Sequence, residues 1–355
     1  MAIPIRDAVP LGPLTTLELG GPARHFAEVT DDGAVAEALR WAEARGLPAL
    51  IVGGGSNLVV GDAGFDGLVV RMATRGTRFE AAAGEVRLTA AAGEPWDPLV
   101  AAAVARGLGG LECLSGIPGL VGATPIQNVG AYGQEVAETI RSVRVLERGT
   151  WQTRDLAPEA CGFGYRDSAF KRDPDRFVVL AVSFALHPGA PPALRYRELA
   201  QALAGESAPS LAAARTTVLA LRANKSMLVT PGDPNRRSAG SFFTNPIVEA
   251  RQADEVAARA AAAGAAMPRW PTGDGRVKLS AGWLIERAGI AKGYRRGPVG
   301  VSSAHALALV HHGGGSTTAL LALAREVAEA VHGRFGVALT PEPTFVGVAW
   351  NRPTG

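Results

Sequence analysis

Residues 49–58 read Ala49-Leu-Ile-Val-Gly-Gly-Gly-Ser-Asn-Leu58. The first four form a short, wholly apolar run of the kind that makes a buried strand. It passes directly into three glycines, which let a backbone turn sharply and aim several amide groups at one anion. Ser56 and Asn57 add hydroxyl and amide donors. Such a loop can cradle a pyrophosphate without a lysine. A tight turn between strands uses the same residues, and spacing alone leaves the two readings level. The stretch is not the dinucleotide fingerprint, because Leu58 stands where a third glycine would follow Gly53 and Gly55. A GxxxxGK[ST] phosphate loop does not occur anywhere in the chain.

Outward from this stretch the punctuation is mixed α/β. On the N-terminal side, Asp31 and Asp32 can cap a helix that carries Val35, Leu39 and Ala42 on one face and closes at Gly46. On the other side, residues 58–60, 68–70 and 86–89 read as strands, and Asp97-Pro98 reads as an N-cap and first turn of a helix ending at Gly107. Residues 110–133 are rich in Gly, Pro and Asn without helical period, and a loop that long is usually either functional or a mis-assigned element. Strand patterns return at 142–146 and 177–182. His187-Pro-Gly-Ala-Pro-Pro192 reads as a boundary or linker. Helices are expected at about 211–223, 249–263, 280–288 and 316–332, then a last strand at 344–349.

Composition sets the limits. Glycine supplies 44 of 355 residues, 47% are hydrophobic and 19% charged. Low hydrophobicity and high charge mark disordered chains, and this chain has neither. The length is a prior for two or three domains. The net charge is 36 − 33 = +3, without a basic run, so no nucleic-acid partner is expected and a small anionic ligand suits equally well. Cys113 and Cys161 lie far apart and form no CxxC pair, so neither a disulfide framework nor a metal site is expected. No apolar run approaches the ~20 residues of a membrane span and no leader pattern opens the chain. These features suggest a soluble cytoplasmic protein without a membrane partner.

Three further clusters could carry chemistry. In Ser115-Gly-Ile-Pro-Gly119, Gly122-Ala123 and Gln127-Asn-Val-Gly-Ala-Tyr-Gly133, small residues would admit a large flat ligand. In Phe163-Gly-Tyr-Arg-Asp-Ser168, Arg166 could fork onto a carboxylate or merely pair with Asp167 at the surface. In Ser238-Ala-Gly-Ser-Phe-Phe-Thr-Asn-Pro246, Ser241 could be a proton donor, a nucleophile or only a helix cap. His312-Gly-Gly-Gly315 looks like a lipase oxyanion loop, but no GxSxG elbow accompanies it. His311-His312 beside Gly313 reads as a solvated turn, and no HExxH spacing occurs.

In order, Leu19-Gly-Gly-Pro-Ala23, Gly53–Leu58, Gly116–Gly119, Pro125–Gly133, Phe163–Ser168, Ala239–Phe243 with Asn245-Pro246, Lys278–Ile285 and Pro341-Glu342 resemble one family. It is the flavin-dependent UDP-N-acetylenolpyruvoylglucosamine reductases of bacterial peptidoglycan and cell-wall synthesis, in the subtype with a tyrosine lid. The resemblance implies an α/β (α+β) fold with a vanillyl-alcohol-oxidase/PCMH-type FAD-binding fold in two parts, 1–75 with 338–355 and then 76–225. A C-terminal α/β domain for the UDP-sugar, 226–337, would follow. It implies non-covalent FAD, NADPH as co-substrate and UDP-N-acetylglucosamine enolpyruvate as substrate, in a cytoplasmic monomer. A hydride would pass from N5 of reduced flavin to C3 of the enolpyruvyl group.

Residue by residue, the resemblance makes Ser241 the proton donor to C2, with Arg166 and Glu342 stabilising the enolate. Burial would favour a protonated, donating Glu342. Gly53, Gly54, Gly55, Ser56, Asn57 and Leu58 would hold the FAD pyrophosphate. Ser115, Gly116, Ile117, Pro118, Gly119, Gly122, Ala123, Gln127, Asn128, Gly130, Ala131, Tyr132 and Gly133 would line the rest of the flavin, near Arg222. Tyr165, Tyr196, Lys225 and Asn245 match substrate positions, Tyr196 over the nucleotide and Lys225 at the diphosphate. No metal is implied. Thr15-Thr16 and His311 stand where the family pattern has Asn-Thr and Asn. Two other readings stay open: an oxidase of the same fold, disfavoured because no histidine within 51–60 or 115–133 could anchor flavin covalently, and a regulatory protein that keeps the FAD fold without turnover.

Overall fold

The computed structural model describes residues 3–262 and 266–351. The chain divides into two compact units. One holds residues 1–9, 23–55 and 66–228; the other holds 10–22, 56–65 and 229–355.

Among the described residues the first unit contains two larger sheets and the small antiparallel pair Gly130–Ala131 with Gln134–Glu135. A four-stranded sheet runs in the order Arg6–Pro10, Pro22–Val29, Phe65–Met72, Ala49–Val52, and the last two strands are parallel. The helix Asp32–Glu43 begins at Asp31, whose carboxylate accepts from the Ala34 amide at 2.9 Å, as the N-cap pattern predicts. The second sheet is antiparallel, in the order Gln152–Leu156, Ile140–Glu147, Phe177–Pro188, Glu85–Ala91, Thr77–Ala82. Its central strand buries Val178, Leu180, Val182, Phe184 and Leu186 on one face, a period-2 pattern. These residues share a core with Val35, Leu39, Leu68, Val70 and Trp96. The strand runs on through the expected linker, His187 opposite Gly109 and Pro188 opposite Leu108.

Two helices stand closest to the glycine loops. Trp96–Ala105 starts two residues earlier than Asp97-Pro98 suggests, with Pro95 at the N-cap position. Asp97 therefore lies inside the helix and its carboxylate is turned to other partners. Leu211–Asn224 ends at Lys225. Residues 110–133 contain no α-helix, only short 3-10 turns at Glu112–Leu114 and Val121–Ala123 and the two-residue strand Gly130–Ala131.

The second unit carries a sheet in the order Ser238–Ser241, Ala308–His311, Val299–Val301, Arg295–Arg296. A second sheet runs Ile247–Glu249, Arg276–Leu279, Arg269–Pro271. Helices Ala250–Ala262, Ala281–Arg287 and Thr317–Phe335 complete it; residue 263 of the expected 249–263 helix lies outside the described residues. Thr317–Phe335 is capped by Ser316 and passes Gly333, ending at Gly336 with φ 69°. The final strand covers only Thr344–Val346, parallel to Leu58–Val60. It stops at Gly347, where φ is 63° and a Cβ would lie 2.0 Å from the Gly64 carbonyl oxygen. The side chains of Leu17, Leu19 and Val59 join Phe242, Leu284 and Leu320 in this unit's core. Among the described residues no helix is long and apolar enough to cross a membrane.

Candidate functional site

In the first unit the glycine-rich segments meet. A Cβ on Gly54 would fall 2.8 Å from the Gly119 Cα, whereas a Cβ on Gly53 would have ordinary contact with Leu120 at 3.7 Å. Only glycine permits the first approach. The Trp96 amide donates to the Gly119 carbonyl at 3.1 Å and the Val121 amide to the Glu94 carbonyl at 2.9 Å, so the 115–121 segment is stitched to the helix start. Asp97 completes the stitch: its Oδ1 accepts from the Gly116 amide at 2.6 Å, and Arg215 forks onto both carboxylate oxygens at 2.7 and 2.8 Å. Burial alone would raise the Asp97 pKa, but Arg215 and the Gly116 amide hold it below the usual carboxylate value.

Arg222 lies beside this loop with 7% of its surface exposed. Its Nη2 donates to the Met227 carbonyl at 2.7 Å, while Nε is buried with no hydrogen-bond partner among the described residues. Burial lowers its pKa. A buried guanidinium N–H without a partner is costly, and a bound acceptor would relieve it. The backbone approach at Gly54 and the buried Arg222 donor fit a large, anionic, flat ligand such as FAD.

Farther along, Asn128 is only 1% exposed. Its Nδ2 donates to Glu135 at 2.7 Å and to the Gly164 carbonyl at 3.0 Å, and its Oδ1 accepts from the Ala137 amide at 3.1 Å. The side chain therefore binds protein, tying the 127–133 loop to the turn that carries Arg166. Gly164 and Asp167 exchange backbone hydrogen bonds across that turn, and Arg166 has φ 54°, an uncommon conformation for a non-glycine residue. Its Nη2 donates to the Gly130 carbonyl at 2.7 Å and its Cζ lies 5.5 Å from the Tyr165 ring centroid. Asp167 pairs with Arg172. Tyr132 also has positive φ, at 49°; its ring meets Tyr196 edge-on at 5.3 Å, and the Lys225 ammonium lies 5.8 Å from its centroid. Burial pushes the Tyr132 hydroxyl up to about 12. Lys225 forms an ion pair with Glu198.

Three acidic residues here were not expected at the site: Glu198 and Glu112, and Asp97, expected only as a helix cap. Glu112 is buried and accepts from the Gly110 amide at 2.8 Å, the Ala193 amide at 2.9 Å and Gln134 Nε2 at 3.3 Å. A lone acid inside Leu111-Glu-Cys-Leu114 is the signal that could have found it.

In the second unit, Ser241 ends the strand Ser238–Ser241, opposite Ala308; it caps no helix. The Glu342 amide donates to the Phe242 carbonyl at 2.9 Å, and Phe243 bridges to Pro341. Ser241 and Glu342, distant in sequence, thus sit on directly paired segments. Asn57 Nδ2 reaches the Glu342 carbonyl at 3.4 Å, and Thr16 Oγ1 donates to the Ser238 carbonyl at 2.6 Å. Asn245 Oδ1 accepts from the Ala281 amide at 3.0 Å. His311 is buried rather than a solvated turn: Nδ1 is bonded to the Leu17 carbonyl oxygen at 3.1 Å, and Nε2 accepts from the Gly315 amide at 3.0 Å.

Residues 233–346 match the family model of the UDP-N-acetylenolpyruvoylglucosamine reductase C-terminal domain. The reductase of Streptomyces coelicolor is 51% identical over 353 residues, spanning 97% of this chain and 91% of that protein. The chain belongs to the UDP-N-acetylenolpyruvoylglucosamine reductase family. The Nocardia farcinica reductase of this family is 53% identical over 352 residues, covering 97% and 90% of the two chains. Residues 23–153 match an FAD binding domain. The crystal structure of the Thermus caldophilus reductase superposes with a TM-score of 0.66 at 26% identity, over 97% of this chain and 99% of that one. The expected family, the flavin-binding α/β fold with its C-terminal domain, and the oxidoreductase class are borne out.

Proposed function

We propose that this family member reduces UDP-N-acetylglucosamine enolpyruvate to UDP-N-acetylmuramate, with NADPH as reductant and FAD held non-covalently. The observation that supports the reading best is the pairing of the Ser241 strand with the Glu342 segment through the Glu342 amide and Phe242 carbonyl. Two groups suited to one protonation step share one backbone framework. FAD, when bound, supplies the hydride chemistry between NADPH and C3 of the enolpyruvyl group. Its pyrophosphate would be held by residues 53–58, and the rest of it by residues 115–133 and Arg222.

Hydride arrival at C3 leaves negative charge on C2 and the adjoining carboxylate. The Arg166 guanidinium, with five fixed N–H donors, neutralises that charge, and a hydrogen-bond-donating Glu342 shares it. Ser241 Oγ gives its proton to C2; a weakly acidic hydroxyl suffices against so basic a carbon when it is close and water is excluded. Lys225 meets the diphosphate, Tyr196 covers the nucleotide as a lid with Tyr165, and Asn245 contributes to substrate binding. We place the enzyme in the cytoplasm as a monomer.

The test is an anaerobic flavin absorbance trace. NADPH should bleach the flavin band, and UDP-N-acetylglucosamine enolpyruvate should restore it. Ser241→Ala should bleach normally but recover slower by about 10²–10⁴-fold, the usual worth of a general acid. Unchanged recovery would remove Ser241 from the mechanism.

A further inference from the structure

Lys225 does not stand alone. It caps the helix Leu211–Asn224 at its C-terminal end, and its ammonium is shared between two partners in the first unit. One is the Tyr132 ring, 5.8 Å from centroid to Nζ. The other is the Glu198 carboxylate, with which it forms an ion pair. Glu198 sits in the first turn of the short helix Arg197–Ala202, two residues after Tyr196, and Tyr196 packs edge-on against Tyr132 at 5.3 Å. Lysine, carboxylate and both tyrosines thus form one cluster, in which the carboxylate offsets the charge available to an anion.

We propose that Glu198 limits the affinity of this site for diphosphate-bearing ligands by competing for Lys225. The inference rests on the reading of Lys225 as the diphosphate ligand. A diphosphate that approaches the ammonium must either displace the carboxylate or share the lysine with it at like-charge distance. Both routes cost binding free energy, and both costs vanish when the carboxylate is made neutral. Side chains of the pair are 30% and 42% exposed, so water screens the interaction and its effect is modest. The cost falls equally on substrate and product, since hydride and proton addition to the enolpyruvyl group leaves the diphosphate untouched. Glu198 thereby keeps the product from binding too tightly to leave. It is an affinity-setting residue, not a catalytic one.

The experiment is calorimetric titration of the FAD-loaded enzyme with UDP and, separately, with uridine, which lacks the diphosphate. Glu198→Gln should lower the Kd for UDP by about two- to fivefold, the equivalent of an exposed pair. It should leave the uridine Kd unchanged. Glu198→Asp, which keeps the charge, should behave like the parent and guards against a fold defect, with flavin content as the check. Lys225→Ala should weaken UDP binding and abolish the effect of Glu198→Gln in the double variant. If Lys225→Ala weakens UDP binding but Glu198→Gln leaves it unchanged or weaker, Glu198 has no such role and the lysine assignment stands. If Lys225→Ala leaves UDP binding unchanged, the lysine assignment itself fails. A purely structural Glu198 would not yield a tighter complex.

Discussion

Arg166 keeps φ at 54°, which costs a non-glycine residue about 1–2 kcal/mol. The surrounding contacts explain why it persists. The Lys171 ammonium donates to the Arg166 carbonyl at 2.9 Å, and Asn128 holds the turn through Gly164. Such over-determined strain is found where a side chain must be aimed. Arg166→Lys keeps the charge and loses the fork, so kcat should fall on the order of 10²-fold, the scale of one lost transition-state donor. UDP affinity should hardly change; a rise in KM with kcat intact would instead make Arg166 a substrate anchor. Asp97 gives a pH-dependent prediction. Its pKa is lowered in the folded protein from the ordinary 3.8, Arg215 and the Gly116 amide outweighing burial. Its stabilising contribution is therefore full above that value and drains as pH falls through the folded one. Asp97→Asn should cost about 1–2 kcal/mol at neutral pH, and the gap to the parent should close in denaturant melts as pH drops below about 4. A gap that persists there would show the loss to be steric. At this scale the sequence was legible only where many motifs occurred in order. Nothing local links Ser241 to Glu342. Asp97-Pro98 imitates an N-cap because the pattern of a cap does not reveal that Pro95 already fills that position. His311 imitated a turn because adjacent glycines say nothing about what covers the ring.

Elements were easier to read than their ends. Ala49–Val52 and Leu58–Val60 stand where apolar β-branched runs put them, and Asp31, Ser210 and Ser316 cap their helices as residue type suggests. The final strand was read too long because Val348 and Ala349 continue the apolar run, while Gly347 must take a left-handed turn against Gly64. The glycine loop shows how finely an element can depend on one position. Gly54 meets backbone at 2.8 Å and Gly53 only a leucine side chain at 3.7 Å. Backbone cannot yield as a side-chain tip can. Gly54→Ala should therefore lower the melting temperature of the flavin-free protein and raise the Kd for FAD by tenfold or more, while Gly53→Ala should melt within ~0.5 kcal/mol of the parent. Equal melting of the two variants would mean that the approach to Gly119 is not what holds the loop.

At the scale of the whole molecule, the family match to 233–346 is contiguous, but the compact unit that contains it is not. That unit also takes residues 10–22 and 56–65, segments the sequence reading assigned to the flavin-binding part. Their contribution is substantial. Leu17, Leu19 and Val59 are buried in its core. Leu58–Val60 supplies the only strand beside Thr344–Val346 among the described residues. Asp62 accepts from the Thr317 amide at 2.7 Å and the Thr318 amide at 2.9 Å, at the N-terminus of the helix Thr317–Phe335. Each of the three apolar side chains is worth about 1.5–3 kcal/mol when fully buried, and a helix cap adds about 1 kcal/mol. Their sum is comparable with the whole stability of a typical domain, about 5–15 kcal/mol. A fragment of residues 229–355 should therefore show no cooperative thermal transition, although a family boundary drawn on sequence would make it a domain. Supplying 1–228 in the same cell should restore a soluble, yellow complex, because the missing segments return with it. A sharp two-state melt of the isolated fragment, with native near-ultraviolet circular dichroism, would mean that the interleaved segments decorate this core rather than build it.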